Sequence, residues 1–286
     1  MGTDMNNMKG GIYWGKILPA TNLREWSDVV LNDSQVSGPE NAVPDPLAAL
    51  QGNAGNGDGP RLWLSINALS VFVDGFGQPS VYWPMQWRLH AVAEGGGWMR
   101  EKVIVPITGG TSTQYNPVEE TAPWGRVRFL DPSNRALCHA LAFDMASAAR
   151  DPRIHGLFLD EAHSTIADIR GRHPGVTITD AAWCDGLRFV LRQYGLLMGG
   201  RPKPVITNGT FGREHSALVT GRFWQATRAK DLPAKIADAE GAGFTMLHSC
   251  GDMATPAELD AAAREIGNAA YSWTPVNGQW SYDWIP

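Results

Sequence analysis

Short apolar runs recur along these 286 residues, each bounded by Gly, Pro or charge and most followed by a stretch of helical periodicity. That alternation constrains the fold more than anything else in the chain. Parallel strands need long crossovers, and a helix in the crossover covers the sheet, so repeated strand–helix units build a parallel barrel or an open doubly wound sheet. The runs fall at 11–14, 61–66, 102–107, 156–159, 204–208, 222–227, 243–248 and 269–273. Eight of them predict a (β/α)8 TIM barrel with long βα loops, a fold of ~250 residues, as a single domain over residues 1–286. The open sheet is the weaker choice, because no GxGxxG follows the first run.

Between the runs, residues 23–31 read as an amphipathic helix, and Asp131-Pro132 opens another that carries Leu137, Leu141 and Met145 on one face. A third, 180–197, places Trp183, Leu187, Val190, Leu191 and Tyr194 at helical spacing and stops at Gly199-Gly200. Residues 232–239 and 256–266 are also helical in pattern, the latter capped by Thr255. A Gly/Asn/Pro-rich connector covers 37–60. The longest irregular insertion is 108–131, and long loops in compact domains are usually functional.

Composition removes several function classes. A net charge of -5 with no basic stripe argues against nucleic acid. The 43% hydrophobic and 19% charged fractions describe a folded chain. No apolar run approaches the ~20 residues of a membrane span, and the first residues lack the basic start and apolar stretch of a signal peptide. These features predict cytoplasmic synthesis, with virion association or signal-free release as the routes outward. Cys138, Cys184 and Cys250 are odd in number and form no CxxC, so reduced thiols are expected rather than a disulfide framework or zinc knuckle. The 12 Trp stand out; indoles stack on the C–H faces of sugars or wedge loops onto a scaffold.

The run at 155–164, His-Gly-Leu-Phe-Leu-Asp-Glu-Ala-His-Ser, ends in two carboxylates and a histidine. Apolar-Asp-Glu-Ala-His matches the magnesium box of DEAH-type helicases. That chemistry requires a GxxxxGK[ST] phosphate loop, whereas the chain's one Gly-Lys pair, Gly15-Lys16, is followed by Ile17. The run is better read as a buried fourth strand that opens onto chemistry at its carboxyl end.

The strand ends of such a barrel converge on one mouth. The residues they bring are Tyr13 and Trp14, then Trp63 and Asn67, then Asp160, Glu161 and His163, then Asn208. Trp224, Gln225 and Arg228 follow, with His248, Asp252 and Trp273 completing the set. Asp160, Glu161 and Asp252 are the catalytic candidates and the others are candidates for substrate binding.

Gly156-Leu157-Phe158-Leu159-Asp160-Glu161, preceded by Leu130-Asp131-Pro132-Ser133-Asn134-Arg135, resembles the glycoside-hydrolase-like (β/α)8 barrels, and Pro204-Val205-Ile206-Thr207-Asn208-Gly209 is similar to their fifth strand. The resemblance covers the middle third of the chain. It implies a poly- or oligosaccharide substrate, strand-end carboxylates and no cofactor. Glycosidic cleavage needs a protonated carboxyl and an ionised one, and Glu161 is expected to be the proton donor. Related barrels often take the second carboxylate from the sixth strand, where this chain has Gln225. Asp252, Asp74, Glu119 and Glu120 are the substitutes. A non-catalytic barrel, binding glycan or serving a larger assembly such as a virion alongside protein partners, is the alternative. A metal-dependent hydrolase built on Asp160, Glu161, His163 and His248 comes third.

Overall fold

The computed structural model describes residues 9–13, 26–31, 45, 47–48, 50, 59–72, 119–122, 125–129, 131–133, 135–172, 176–225, 227–239, 243–251 and 253–274. Within them, eight parallel strands close into a barrel. They are β1 (Lys9–Tyr13), β2 (Trp26–Leu31), β3 (Arg61–Asn67), β7 (Ile154–Asp160), β8 (Val205–Asn208), β9 (Val219–Trp224), β10 (Phe244–Cys250) and β11 (Ala269–Thr274), and β11 pairs back onto β1. The helices are α1 (Arg135–Ala149), α2 (Ala167–Arg172), α3 (Asp180–Leu197), α4 (Leu232–Ala239) and α5 (Pro256–Ile266). Three short strands, β4 (Ser70–Phe72), β5 (Glu119–Ala122) and β6 (Gly125–Phe129), form a separate antiparallel sheet in the order β4-β6-β5.

The helix expected over 23–31 is not what forms at 26–31: these residues are β2, the second barrel strand, while 23–25 and the expected run at 102–107 lie outside the described residues. The helical reading fails because Asp28 imitates the polar face of an amphipathic helix. Instead its carboxylate is fully buried, taking Arg61 Nη2 at 2.7 Å, Trp63 Nε1 at 2.8 Å and Ser27 Oγ at 2.8 Å. A charge satisfied this way can sit in a strand covered on both faces. Part of the 108–131 insertion is also ordered sheet, as β5 and β6. Ile154–Asp160 is the fourth barrel strand as expected, with β3 on the expected run at 61–66 and β2, which is not among the expected runs, ahead of it.

Side-chain alternation sorts the strands into two packed layers. Val30, Trp63, Phe158, Ile206, Phe223, Phe244, Met246 and Ala270 point inward and fill the barrel. Val29, Leu31, Leu62, Leu64, Ile66, Leu157, Leu159 and Val205 have the opposite parity and belong to the outer core, which also takes in Leu137 and Leu141 of α1 and Leu187, Val190 and Leu191 of α3. Trp63 crosses the interior and stacks on Phe244 at 5.5 Å. Its ring passes so close to Gly156 that a Cβ there would meet Trp63 Cζ3 at 2.4 Å, which is why the fourth strand carries glycine. The helices end as their sequences direct: Thr179 caps α3, Thr255 and Glu258 form a capping box on α5, and Gly199 and Gly200 take positive φ after α3.

Candidate active site

Because Phe158, Ile206, Phe223, Met246 and Ala270 face inward, the residues two further along each strand also face inward, at the carboxyl end of the barrel. They are Asp160, Asn208, Gln225, His248 and Ser272. Asn67 stands opposite Asp160 in the β3–β7 register. Asp160, Asn208 and Gln225 are joined directly. Asn208 Nδ2 donates to Asp160 Oδ1 at 2.8 Å and to Gln225 Oε1 at 2.9 Å, while the Glu161 backbone N–H donates to Asp160 Oδ1 at 2.9 Å. At the same end, His248 is buried, with Nδ1 2.9 Å from Ser272 Oγ and its ring stacked near Phe223.

The strand breaks sharply after Asp160. Glu161 adopts a left-handed backbone, φ 55°, an unfavourable state for a side chain with a Cβ and one that concentrates at functional turns. Neighbours on an extended strand point to opposite sides, but Glu161 has already left the strand, and its carboxylate lies 3.2 Å from His163 Nε2 at the surface. The next strand's loop holds the turn in place. Ala162 N–H donates to Asn208 O, Phe211 N–H to Ala162 O, and Ser164 N–H to Thr210 Oγ1, each at 2.8 Å. Trp183 Nε1 donates to His163 O and Cys184 Sγ to Ser164 O. Gly209, at φ 130°, allows the two loops to meet, since a Cβ there would lie 2.5 Å from Ala162 O.

Burial, reinforced by the nearby Glu161 charge, pushes the Asp160 carboxyl up to about 6; the Asn208 and Glu161 N–H donors pull the other way without cancelling the effect. Burial pushes the His248 imidazole down to about 4, so it is neutral at physiological pH. The site thus holds a carboxyl able to carry a proton near neutrality, and the same end of the barrel holds a buried, neutral histidine.

No protein-family model matches the sequence, and no curated protein matches it. Solved structures do. The glycoside hydrolase domain of PelA from Pseudomonas aeruginosa is similar at a TM-score of 0.56 and 12% identity, over 93% of this chain and 94% of that one. The cycloalternan-degrading enzyme from Trueperella pyogenes is similar at a TM-score of 0.56 and 13% identity, over 98% of this chain and 45% of that chain. The galactosidase domain of the alpha-galactosidase-sucrose kinase AgaSK is similar at a TM-score of 0.54 and 10% identity, over 97% of this chain and 39% of that one. The fold is glycoside-hydrolase-like.

Around the mouth of this glycoside-hydrolase-like barrel, the sequence candidates divide by strand parity. Asp160, Asn208 and Gln225 form one bonded row, with Glu161 and His163 on its rim. Three tryptophans do not line the mouth. Trp63 is an interior packing residue 1% exposed, deep in the barrel and bonded to Asp28. Trp224 and Trp273 have the outward parity and pack with Leu232, Leu247 and Leu259 beneath α4 and α5; Lys235 Nζ sits 4.0 Å from the Trp224 ring centre. His248 is central but buried, and Arg228 is exposed just before α4. Tyr13 ends β1, while Trp14, Asp252 and Asp74 lie outside the described residues.

Sequence reading missed Ser272, which partners His248, and the Gly209-Thr210 latch. An Asn-Gly-Thr turn signal after the fifth strand was available for the latch. The small sheet is rooted here as well: Ala68 N–H donates to Asp160 O at 2.8 Å, Leu69 turns at φ 48°, and β4 begins at Ser70. Glu119 and Glu120 are on its edge strand β5. Among the described residues, no three His, Cys, Asp or Glu are grouped to hold a metal ion, and no helix is long and apolar enough to cross a membrane. All three cysteines are buried and free.

Proposed function

We propose that this barrel binds a polysaccharide at its carboxyl-end mouth and hydrolyses it, with Asp160 and Glu161 as the reacting pair. The carrying observation is the inward carboxyl of Asp160 at a strand end, held near a pKa of about 6 beside a second, exposed carboxyl. Two acidic groups in contrasting environments divide the work of acid and base.

The environments favour the opposite division of roles from the one expected from sequence, in which Glu161 is the proton donor. Asp160, enclosed and with its proton affinity raised, gives its proton to the leaving glycosidic oxygen. Glu161, outside on the left-handed turn and paired with His163, offsets the positive charge of the developing oxocarbenium ion; water captures the anomeric carbon as the glycosidic bond breaks, and its proton returns to the Asp160 carboxylate. Asn208 and the Glu161 N–H fix the Asp160 carboxyl, so little reorganisation accompanies proton transfer. The fold supports a sugar ligand by analogy, and the carboxyl pair supports cleavage by its chemistry.

Release of reducing ends from a panel of soluble polysaccharides tests this reading, with Asp160→Asn and Glu161→Gln assayed beside the wild type. A loss of about 100-fold or more in each folded variant is the expected result. Cleavage undiminished in both would remove them from catalysis. Gln225, in the row where related barrels often have an acid, favours a second reading, a barrel that binds glycan without cutting it. Binding by the wild type with no cleavage of any panel member would select it.

A further inference from the structure

The amide row on β8 and β9 does more than line the mouth. A carboxamide's oxygen and nitrogen can be exchanged by a half-turn, but here the partners fix the direction. Asp160 Oδ1 takes a hydrogen bond from the Asn208 amide at 2.8 Å, so the Asn208 nitrogen must face it. The same nitrogen lies 2.9 Å from Gln225 Oε1, which places the Gln225 oxygen inward and its nitrogen outward. Gln225 is exposed and follows the last residue of β9, so that outward nitrogen is at the mouth.

We infer that Asn208 is a positioning residue that locks Asp160 and Gln225 into one hydrogen-bonded row, leaving the Gln225 Nε2 amide as a fixed donor to a neutral acceptor oxygen of a sugar, a hydroxyl or a carbonyl. The inference rests on the polysaccharide reading for the identity of the ligand, but not for the row itself. A glutamate at 225 would turn the same position into an acceptor and add a charge beside the pair. The amide therefore reads oxygen acceptors and, among the described residues, leaves the negative charge of this row to Asp160 and Glu161.

Among the described residues, the charged or titratable groups facing Asp160 are Glu161 and His163 from its own turn; β3, β8 and β9 present neutral Asn67, Asn208 and Gln225. Asn208 donates to the ionised carboxyl and so holds its proton affinity down. Removing that donor raises it.

The test needs no substrate at first. In the full chain labelled at aspartate carboxyl carbons, with Asp160 assigned through Asp160→Asn, the Asp160 titration midpoint is followed by NMR in wild type and Asn208→Ala. A rise of roughly half to one pH unit is expected in the variant. Gln225→Ala, which leaves the Asn208–Asp160 bond intact, moves the midpoint less. Side-chain amide exchange reads the direction: Asn208 protons exchange slowly and Gln225 protons at nearly solvent rate. An unmoved midpoint in folded Asn208→Ala, or a protected Gln225 amide beside an unprotected Asn208, overturns the assignment.

A second measurement uses whichever panel polysaccharide the wild type cleaves. Gln225→Ala raises KM several-fold with kcat and the pH profile little changed, whereas Asn208→Ala moves the pH profile itself. Equal losses of kcat in both variants with unmoved pH profiles count against the row. If the wild type cleaves nothing, the hydrolytic reading fails alone, and the titration and exchange results still decide the row.

Discussion

Replacing Asp160 by asparagine removes an ionisation while keeping the shape. The carbonyl oxygen of the introduced carboxamide can still accept from Asn208 Nδ2 and from the Glu161 N–H, the two bonds that Asp160 Oδ1 accepts now. A carboxyl moved from 3.8 to about 6 by folding favours the folded state only while it is protonated. Its contribution is fully present below pH 3.8 and is lost as pH rises through about 6. At ~1.4 kcal/mol per tenfold change in proton affinity, the folded wild type carries about 3 kcal/mol of ionisation cost at neutral pH, and partial solvent access reduces that toward ~2 kcal/mol. Urea denaturation of both proteins at intervals from pH 4 to 8 measures it. The variant should be more stable by about 2–3 kcal/mol at pH 7.5, with the difference shrinking toward zero near pH 4, while polysaccharide cleavage is lost. Such a gain in stability with loss of activity is the mark of a site strained for function. A pH-independent difference, or a less stable variant at pH 7.5, would refute the claim that burial raises this carboxyl.

Three further outcomes follow from neighbouring features. His248, held neutral by burial down to about 4, is protonated first in the unfolded chain, so its contribution to stability is lost as pH falls from 6.5 through about 4; in folded His248→Gln, the acid limb of a melting-temperature profile should flatten over that window. Gly209→Ala forces a Cβ against Ala162 O and a strained φ, costing about 2–3 kcal/mol. The melt should fall and cleavage should drop with it, because the Glu161 turn is displaced; an unchanged melt would deny the latch. Trp63→Phe keeps the stack on Phe244 but strips Asp28 of its Nε1 donor, a loss of about 2 kcal/mol. Chemical denaturation should record it with activity preserved, since Trp63 stays clear of the mouth.

Much of the scaffold is legible in the sequence because repetition is hard to imitate. Apolar runs separated by helical spacing demand parallel βα units, and caps such as Thr255 with Glu258 and the paired Gly199-Gly200 mark the helix limits closely. The abrupt end of the fourth strand in Asp160-Glu161 also points to the barrel mouth. Residues 23–31 mislead because Asp28 passes in the sequence for surface charge; only the arrival of Arg61 and Trp63 from the next strand makes it a buried strand residue.

The sequence by itself determined that strands and helices alternate, that the fourth strand closes on carboxylates, and that Gln225 follows the sixth. Which side chains meet was decided by tertiary structure. A strand of a parallel barrel is covered on both faces, so its apolar pattern has no polar side to reveal which parity points inward. Register made that choice. It sent Trp224 and Trp273 under the helices, turned Asn208 and Gln225 into the barrel, and let the left-handed turn at Glu161 set a second carboxylate beside Asp160.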